Sequence, residues 1–492
     1  MNAIVHKLWS RWYLLLFLPV AAALLFLPKL WVLAAAGVIA ACMLAVFIAA
    51  SVLHGRVEDL VLGWVLVFPL GYYFLTFPRE RSIFTLDRAF IALLLVAIVF
   101  RSRRQAFPLP LPLREAGIAW ALFLAAALVS VRLAANPLGN AKELLDVFAL
   151  PAVFAWYVVR DFPVRKHLAA LHHLICLMTV YVAAIGFVEM VTGQDLMPFP
   201  TGIFLIEDTG FARVNGPFAT NNSFGLIGLL SFYLLLFLGR ALGTRMRVWE
   251  RGLHAVGLIS ALTIAVLPMF RSMLVTLALI LIIEFFLNKN FAVRATVAGM
   301  VLLAGLGFLV FKRRAPAVFE YRVSDPSDIY ARIAQQRQTL DLFRTHPIGG
   351  VGWGDYMEVA YDSSDVSYNG VSSVGSAHNT IGAVLVETGL SGFLPFVAAQ
   401  FLLLRVFWRL RRRGGHDARL ASTLFLYVFL SYWITGVSLT SGYYSDVNMW
   451  YLFVVAVLYK FAVTEPLPTV QPHRHSHSLE TRTPVRRRLV PA

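Results

Sequence analysis

The sequence predicts an all-α integral membrane protein that crosses the bilayer many times. Hydrophobic residues make up 59% of the 492 residues, charged residues only 14%, and the mean hydropathy is +0.71. Soluble domains have an apolar share of about 45–50%, so this chain is too apolar for a soluble globule. Its apolar residues also fall into runs that approach the length of about 20 residues needed to span about 30 Å of hydrocarbon.

The predicted spans follow one another along most of the chain. They are residues 13–28, 30–53, 58–77, 87–100, 115–133, 144–159, 168–191, 223–239, 252–270, 271–287, 294–311, 380–408, 419–438 and 447–463. The first two runs are separated only by Pro28 and Lys29, so they can instead form a re-entrant hairpin. The prediction is therefore 12–14 transmembrane helices, and an even number places both termini on one side.

The distribution of positive charge orients these spans. Lys and Arg concentrate in alternate short loops, for example at 101–104 and 409–413, and such loops stay in the cytoplasm. Both termini are thus predicted to be cytoplasmic. The chain is predicted to divide into five parts. These are N-terminal spans (residues 1–167), central spans (168–311), a large periplasmic loop with short helices (312–379), C-terminal spans (380–463) and a disordered basic tail (464–492).

Composition also argues against some partners and sites. The net charge of +16 does not indicate nucleic acid, because the basic residues are scattered over short loops and not gathered on one soluble face. Cys42 and Cys176 both lie in apolar runs, so neither a disulfide framework nor a Cys-based metal site is indicated. His473, His475 and His477 lie in the Pro- and Arg-rich tail, which fits a disordered segment better than a metal site.

Three inward-running helices are predicted to begin at the outer face. Asn221 and the two residues after it suit the N-cap of one helix, and Ser376 or Asn379 that of another. The start of a helix presents unpaired N–H groups and a positive dipole end, which favour an anion.

Basic and proton-transferring side chains occur beside these helix starts. Arg213, Arg271 and His378 could converge on one negatively charged group. His and Asn are costly in hydrocarbon, so a helix that begins with His378-Asn379 is expected to face water, a partner or a substrate.

The outer loop contains one predicted helix and one glycine-rich turn. Residues 327–344 place Ile329, Ile333, Leu340 and Phe343 at helical spacing, which predicts an amphipathic helix at the membrane surface. His346-Pro347 should end it. The glycine-rich stretch 348–356 does not fit a nucleotide-binding loop, and residues 362–376 lack periodicity, as in a lid.

Four motifs stand out between residues 213 and 392: Arg213-Val-Asn-Gly216-Pro-Phe218-x-x-Asn221, His346-Pro-Ile-Gly349-Gly350-Val-Gly352-Trp-Gly354, His378-Asn379 and Glu387-x-Gly389-Leu390-x-Gly392. Together with an Arg at the outer start of a helix, they resemble the motifs of the bacterial O-antigen ligase family, which includes O-antigen and exopolysaccharide polymerases. The resemblance covers roughly residues 170–440.

The resemblance implies a glycosyltransferase of the bacterial inner membrane. Such enzymes take a sugar chain from undecaprenyl diphosphate at the periplasmic face, without metal, cofactor or nucleotide sugar. Carried onto this sequence, Arg213 and Arg271 become the diphosphate clamp and His378 the acceptor-activating residue. The predicted substrate-binding residues are Asn221, Arg332, Trp353, Tyr356 and Asn379.

Physical chemistry supports these roles but leaves alternatives open. A departing diphosphate develops negative charge that preorganised cations stabilise, and the planar fork of Arg meets two phosphate oxygens. His378 could accept the proton of an attacking hydroxyl or only orient it. Arg271 could instead anchor lipid headgroups, and Arg332 could belong to a solvated helix face. Glu387 is predicted to be a buried polar partner, not a second acid.

The sequence also leaves two alternatives for the molecule that accepts the glycan. Chain length, extra N-terminal spans and the long outer loop slightly favour a polysaccharide polymerase, which uses another lipid-linked glycan, over a ligase that transfers to lipid A-core. A flippase and a chain-length regulator are possible partners beside membrane lipids. A transporter or flippase of a lipid-linked sugar is the alternative, disfavoured because no internal repeat is found and the polar residues lie at one face.

Overall fold

The computed structural model describes residues 57–71, 85–101, 111–194, 196, 204–205, 212–268, 270–287, 294, 298, 313, 327–363, 366–372 and 377–464. The longer helices are α1 (Val57–Val67), α2 (Leu86–Arg101), α3 (Leu111–Ser130), α4 (Pro137–Leu144), α5 (Leu150–Asp161), α6 (Leu168–Thr192), α7 (Asn221–Leu242), α8 (Val248–Val266), α9 (Arg271–Leu287), α10 (Ser327–Thr345), α11 (Tyr356–Asp362), α12 (Thr380–Arg413), α13 (His416–Ser438) and α14 (Ser445–Val463).

Short elements connect these helices. A π-helix, Leu145–Ala149, joins α4 to α5, and 3₁₀ turns cover Phe68–Leu70, Val131–Leu133, Gly243–Arg245 and Ser441–Tyr443. Two antiparallel hairpins pair β1 (Phe204–Leu205) with β2 (Ala212–Arg213) and β3 (Ser367–Tyr368) with β4 (Val371–Ser372). The second hairpin lies in the stretch 362–376 that the sequence predicted to be without regular structure.

The helices confirm the polytopic membrane class. Each predicted run between 58 and 287, and between 380 and 463, coincides with helix in the described ranges. Six helices of the described part are long and apolar enough to cross a membrane: Leu113–Leu133, Leu168–Thr192, Asn221–Arg245, Thr380–Arg413, His416–Ser438 and Ser445–Val463. The runs 13–28 and 30–53, and nearly all of 294–311, lie outside the described residues, so the total of 12–14 stays a prediction.

Helices α7 and α14 form the centre of the bundle. Their apolar windows are 78% and 83% buried, against 33% for α3 and α12. Helix α7 packs against α8 and α13, and α14 packs against α5 and α13. The inward-facing aromatic rings interlock, as where Trp450 of α14 stacks on Phe68 and lies beside Trp64. Because α7 and α14 are apolar all round, they belong inside a bundle and not at its lipid-facing edge.

Helix α12 is broken in its N-terminal third. Gly389 has φ +60° and ψ −165°, which no α-helix contains, and glycine tolerates this positive φ because it has no Cβ. The break frees backbone groups that a neighbouring segment then satisfies. The N–H groups of Leu390 and Ser391 donate to the carbonyls of Pro347 and Ile348, at 2.9 and 3.1 Å. The outer loop is therefore attached to α12 at this break.

Helix α10 covers Ser327–Thr345, within one residue of the predicted range. Ile329 and Leu340, predicted to be on its apolar side, are 52% and 51% exposed, whereas Gln338 and Thr339 are 1% and 5% exposed. The exposure of these two apolar side chains does not test the predicted position at the membrane surface, which stays a prediction. The Gln338 amide donates to the Ala360 carbonyl at 2.9 Å, so a hydrogen bond joins the buried side of α10 to α11.

The starts of several helices meet at one end of the bundle. At the beginning of α7, the Ser223 hydroxyl donates to Asp446 in the first turn of α14, at 2.9 Å. The backbone N–H of Thr380, which starts α12, donates to the carbonyl of Leu439 just after α13, at 3.2 Å. Near the start of α9, Met273 lies against Gly225 of α7. We call this end of the bundle the polar rim.

Candidate active site

A cavity opens beside the start of α12 at the polar rim. Its volume is about 150 Å³, which exceeds the 10–15 Å³ that a single water needs by about tenfold. It therefore has room for a small polar ligand. The lining residues come from α10, the residues before α12 and the end of α13: Arg332, Gln335, Gln336, Ala377, His378, Val437 and Ser438.

His378 is held at the cavity in a strained backbone conformation. It is exposed and has φ +42°, one of two non-glycine residues with positive φ in the described ranges, the other being Asn369. A side chain in this left-handed region costs roughly 1–2 kcal/mol, although His adopts it more often than most residues. Strained backbone conformations of this kind are more frequent at functional sites than elsewhere.

Asn379 starts the helix next to this histidine. Its side-chain oxygen accepts hydrogen bonds from the backbone N–H groups of Ile381 and Gly382, at 2.9 and 3.1 Å. The prediction of an N-cap at Asn379 is thereby confirmed. Because its oxygen is occupied by the cap, the main role of Asn379 in the structure is to fix the direction in which the chain enters α12, which places His378 at the cavity.

Arg332 reaches the same cavity from α10. It is exposed and lines the cavity together with Gln335, one turn further along the helix. The Oε1 atom of Gln335 is buried and has no hydrogen-bond partner among the described residues. An unsatisfied buried acceptor is costly, and a ligand hydroxyl would satisfy it. Two other arginines of α10 have local partners, since Arg337 stacks on Tyr368 and Arg344 pairs with Asp341.

The glycine-rich turn docks the outer loop to the broken helix. The Val351 N–H donates to the Val386 carbonyl at 2.9 Å, and the Gly352 N–H donates to the Glu387 carbonyl at 3.3 Å. Gly350 has φ +76°, and a Cβ there would lie 2.3 Å from the backbone of Glu387. The glycines therefore allow two backbone segments to touch, and this contact holds α10 beside α12.

Glu387 secures this contact from inside the protein. It is 3% exposed, accepts a hydrogen bond from the Tyr443 hydroxyl at 2.7 Å, and accepts two more from the backbone N–H groups of Gly354 and Tyr356. Burial and the adjacent carboxylate raise the pKa of Tyr443 well above its usual value, so its phenol stays a donor. This agrees with the prediction that Glu387 is a buried polar partner.

Trp353 and Tyr356 do not reach the cavity. Trp353 is fully buried and stacks on Tyr443, with ring centroids 5.1 Å apart. Tyr356 is 3% exposed, and its hydroxyl lies 2.7 Å from the Thr339 hydroxyl. Burial also raises the pKa of Tyr356. Both side chains pack between the loop and the bundle, and their predicted contacts with substrate stay a prediction.

The motif at Arg213 forms a tight entry into α7. Arg213 belongs to β2, and its side chain lies outside what the structure describes. Gly216 has φ +54°, where a Cβ would lie 2.5 Å from the ring of Phe224, and its N–H donates to buried Glu189 at 2.8 Å. The backbone that carries Arg213 is thereby joined to the end of α6.

The start of α7 differs from the prediction by one residue. Thr220 is the N-cap, because its hydroxyl oxygen accepts the backbone N–H of Ser223 at 3.1 Å. Asn221 is the first helical residue, is 9% exposed, and does not line the cavity described above. Threonine caps almost as well as asparagine, so the sequence alone could not choose between them.

The structure brings some of the predicted site residues together. His378 and Arg332 line one cavity. Arg271 begins α9 at the polar rim and is exposed, but it does not line that cavity. The sequence alone did not indicate Gln335 or Ser438. Gln335 lies three residues after Arg332, and this helical spacing was the signal that could have identified it, whereas Ser438 joins the cavity only because α13 ends there.

Comparison with known proteins agrees with the motifs. Residues 217–397 match the protein-family model described as O-antigen ligase. The match confirms the resemblance to the O-antigen ligase family and includes Arg271, Arg332 and His378. Arg213 lies just before the matched segment. No curated protein matches the chain.

Proposed function

From the match of residues 217–397 to the O-antigen ligase family, we propose that this chain is a membrane glycan-transfer enzyme that moves a glycan from a polyprenyl diphosphate to a sugar hydroxyl. The observation that carries the proposal is the cavity where His378 and Arg332 meet. It joins a cation, a potential proton acceptor and the unsatisfied Gln335 oxygen. These are the groups that an acceptor sugar and an anionic leaving group need.

The reaction is a displacement at the anomeric carbon of the donor sugar. The acceptor oxygen forms a bond to that carbon, and the bond to the phosphate oxygen breaks. The diphosphate leaves with the electron pair, and the acceptor proton passes to His378 or, if His378 only orients the hydroxyl, to water. General-base help of this kind is worth about 10²–10⁴-fold.

Cations near the polar rim would stabilise the departing diphosphate. Arg332 lies in the cavity, and Arg271 begins a helix at the same end of the bundle. In our proposal Arg271 and Arg213 clamp the diphosphate, and Arg332 completes the positive field beside the acceptor. Fixed arginines near an interface of low dielectric stabilise developing charge more than mobile ones in water.

The polar rim would face the periplasm, and the protein would lie in the inner membrane. The opposite end of the bundle carries basic side chains, among them Arg240, Arg245 and the run Arg411, Arg412 and Arg413. Short loops rich in Lys and Arg remain cytoplasmic, which supports this orientation. The transporter alternative is weaker, because the cavity lies at one end of the bundle and transporters bind near the midplane.

The decisive experiment is glycan transfer by the purified full chain in lipid nanodiscs. The donor is a synthetic undecaprenyl-diphosphate oligosaccharide, offered with either a second lipid-linked repeat or lipid A-core as acceptor. We expect transfer without added metal or nucleotide sugar, and we slightly favour the lipid-linked acceptor, which would give a ladder of products by mass spectrometry. Transfer only to lipid A-core would instead make the protein a ligase.

A matched pair of arginine variants tests the site itself. Arg332→Ala should lower the transfer rate at least tenfold, because it removes the cavity cation. Arg344→Ala changes an arginine of the same helix that pairs with Asp341 on the surface, and it should retain the wild-type rate. Equal rates for the two variants would contradict the proposed site, and no transfer to either acceptor would contradict the proposed function.

A further inference from the structure

Two histidines and a cysteine meet between α6 and α8, away from the polar rim. His172 and Cys176 lie one turn apart on α6, and His254 projects from α8. One potential ligand atom from each residue lies within 4.8 Å of the others. His172 and Cys176 are completely buried, whereas His254 is partly exposed. Ionisable groups buried in membrane helices are expensive, so such a cluster suggests a function.

Two distances inside the cluster are close to those of a metal coordination sphere. Nε2 of His172 lies 3.1 Å from Nδ1 of His254 and 3.7 Å from Sγ of Cys176. Tetrahedral zinc with Zn–N of about 2.0–2.1 Å and Zn–S of about 2.3 Å requires N···N and N···S separations of about 3.3 and 3.6 Å. Both observed distances are thus close to what zinc needs before any side chain moves.

The surrounding helices leave space for these three groups. A Cβ on Gly257 would lie 2.7 Å from the Cys176 sulfur, and a Cβ on Gly239 would lie 2.5 Å from Nε2 of His254. The neighbouring histidine of α6, His173, is oriented elsewhere and pairs with Glu250 at 3.3 Å. The geometry therefore selects one of the two adjacent histidines for the cluster.

We propose that His172, Cys176 and His254 bind one Zn²⁺ ion, which ties α6 to α8. Zinc accepts imidazole nitrogen and thiolate sulfur in tetrahedral sites, and three protein ligands leave one position for water. Binding displaces the thiol proton of Cys176 to solvent. The Zn²⁺ ion would enter the site beside His254, because this ligand is partly exposed. This site goes beyond the proposed glycan transfer, and it differs from the expectation from sequence, in which no Cys-based metal site was indicated.

A hydrogen-bonded histidine pair beside an inert cysteine is the alternative. It would explain the 3.1 Å contact, and buried cysteines commonly behave as small hydrophobic residues. The two readings differ in whether sulfur bonds to an added metal. Cobalt reports this directly, because Co²⁺ replaces Zn²⁺ in such sites and a Co–thiolate bond gives a charge-transfer band in the near ultraviolet.

The test uses the full-length chain with competing ligands removed. Cys42 and the tail histidines His473, His475 and His477 are replaced by Ala, so that Cys176 is the one remaining thiol. We expect about one zinc ion per chain by elemental analysis after purification without chelators. We also expect a thiolate charge-transfer band with one equivalent of Co²⁺, and a higher thermal midpoint when zinc is added, because ligand binding stabilises the folded state.

Substitutions then assign the ligands. Cys176→Ser, which is nearly isosteric, should abolish the charge-transfer band, and His254→Ala should weaken zinc binding at least 100-fold. His173→Gln is the matched control on the same helix and should keep both signals. The proposal is overturned if the parent protein binds no stoichiometric zinc, if it binds copper and not zinc, or if the cobalt band survives Cys176→Ser.

Discussion

The strained histidine at the cavity gives the sharpest test of the proposed reaction. His378→Gly removes the imidazole at a position where the backbone has φ +42°. Loss of a general base should lower the transfer rate by about 10²–10⁴-fold, which is a rise of about 3–5 kcal/mol in the activation free energy. An orienting role would cost less than a proton-accepting role.

The same change should leave the folded state almost unaffected. Glycine relieves a left-handed strain of roughly 1–2 kcal/mol but adds about 0.5–1 kcal/mol of unfolded-state entropy, so the two effects nearly cancel. We expect the thermal midpoint in detergent to stay within about 2 °C of wild type. A large loss of rate without a loss of stability would locate the effect in the chemistry and not in the fold.

The chain offers a matched control for the backbone change. Asn369 is exposed, has φ +50° in the turn between β3 and β4, and does not line the cavity. Asn369→Gly makes a similar backbone change but should keep the full rate. His378→Asn separates the two roles of His378, because Asn can hydrogen-bond to a hydroxyl but cannot take its proton. A rate for His378→Gly above about a tenth of wild type would refute a proton-accepting role.

Three further predictions concern the clamp, the loop contact and the topology. Arg271→Lys should lose more than half of the initial transfer rate if bidentate diphosphate binding matters, whereas a lipid anchor would tolerate Lys. Gly350→Ala should destabilise the fold by more than about 4 kcal/mol, because the added Cβ would lie 2.3 Å from backbone atoms. The control is Gly117→Ala, whose added Cβ would have no atom within 4 Å, and both variants are compared by thermal unfolding. In cells, a membrane-impermeant thiol reagent should label Glu358→Cys but not Arg413→Cys, and the reverse result would invert the proposed orientation.

The glycine motifs show that recognising a motif does not establish the role of each residue in it. The sequence marked Gly350 and Gly389 as significant, and Trp353 between them as a substrate contact. In the structure the glycines let two backbone segments touch, and Trp353 is fully buried. Spacing along the chain shows that a residue type is required at a position, but it does not show what that position faces.

The sequence alone determined the membrane class, the helical segments and several helix ends, because hydropathy and capping act over neighbouring residues. For this reason Asn379 was one of the two predicted caps of α12, and the end of α10 at Thr345 was predicted to within one residue. Only the tertiary structure decided which segments meet. It placed Arg332 beside His378 and brought His254 to His172, because packing joins helices that are far apart in the chain and whose contacts leave no local pattern.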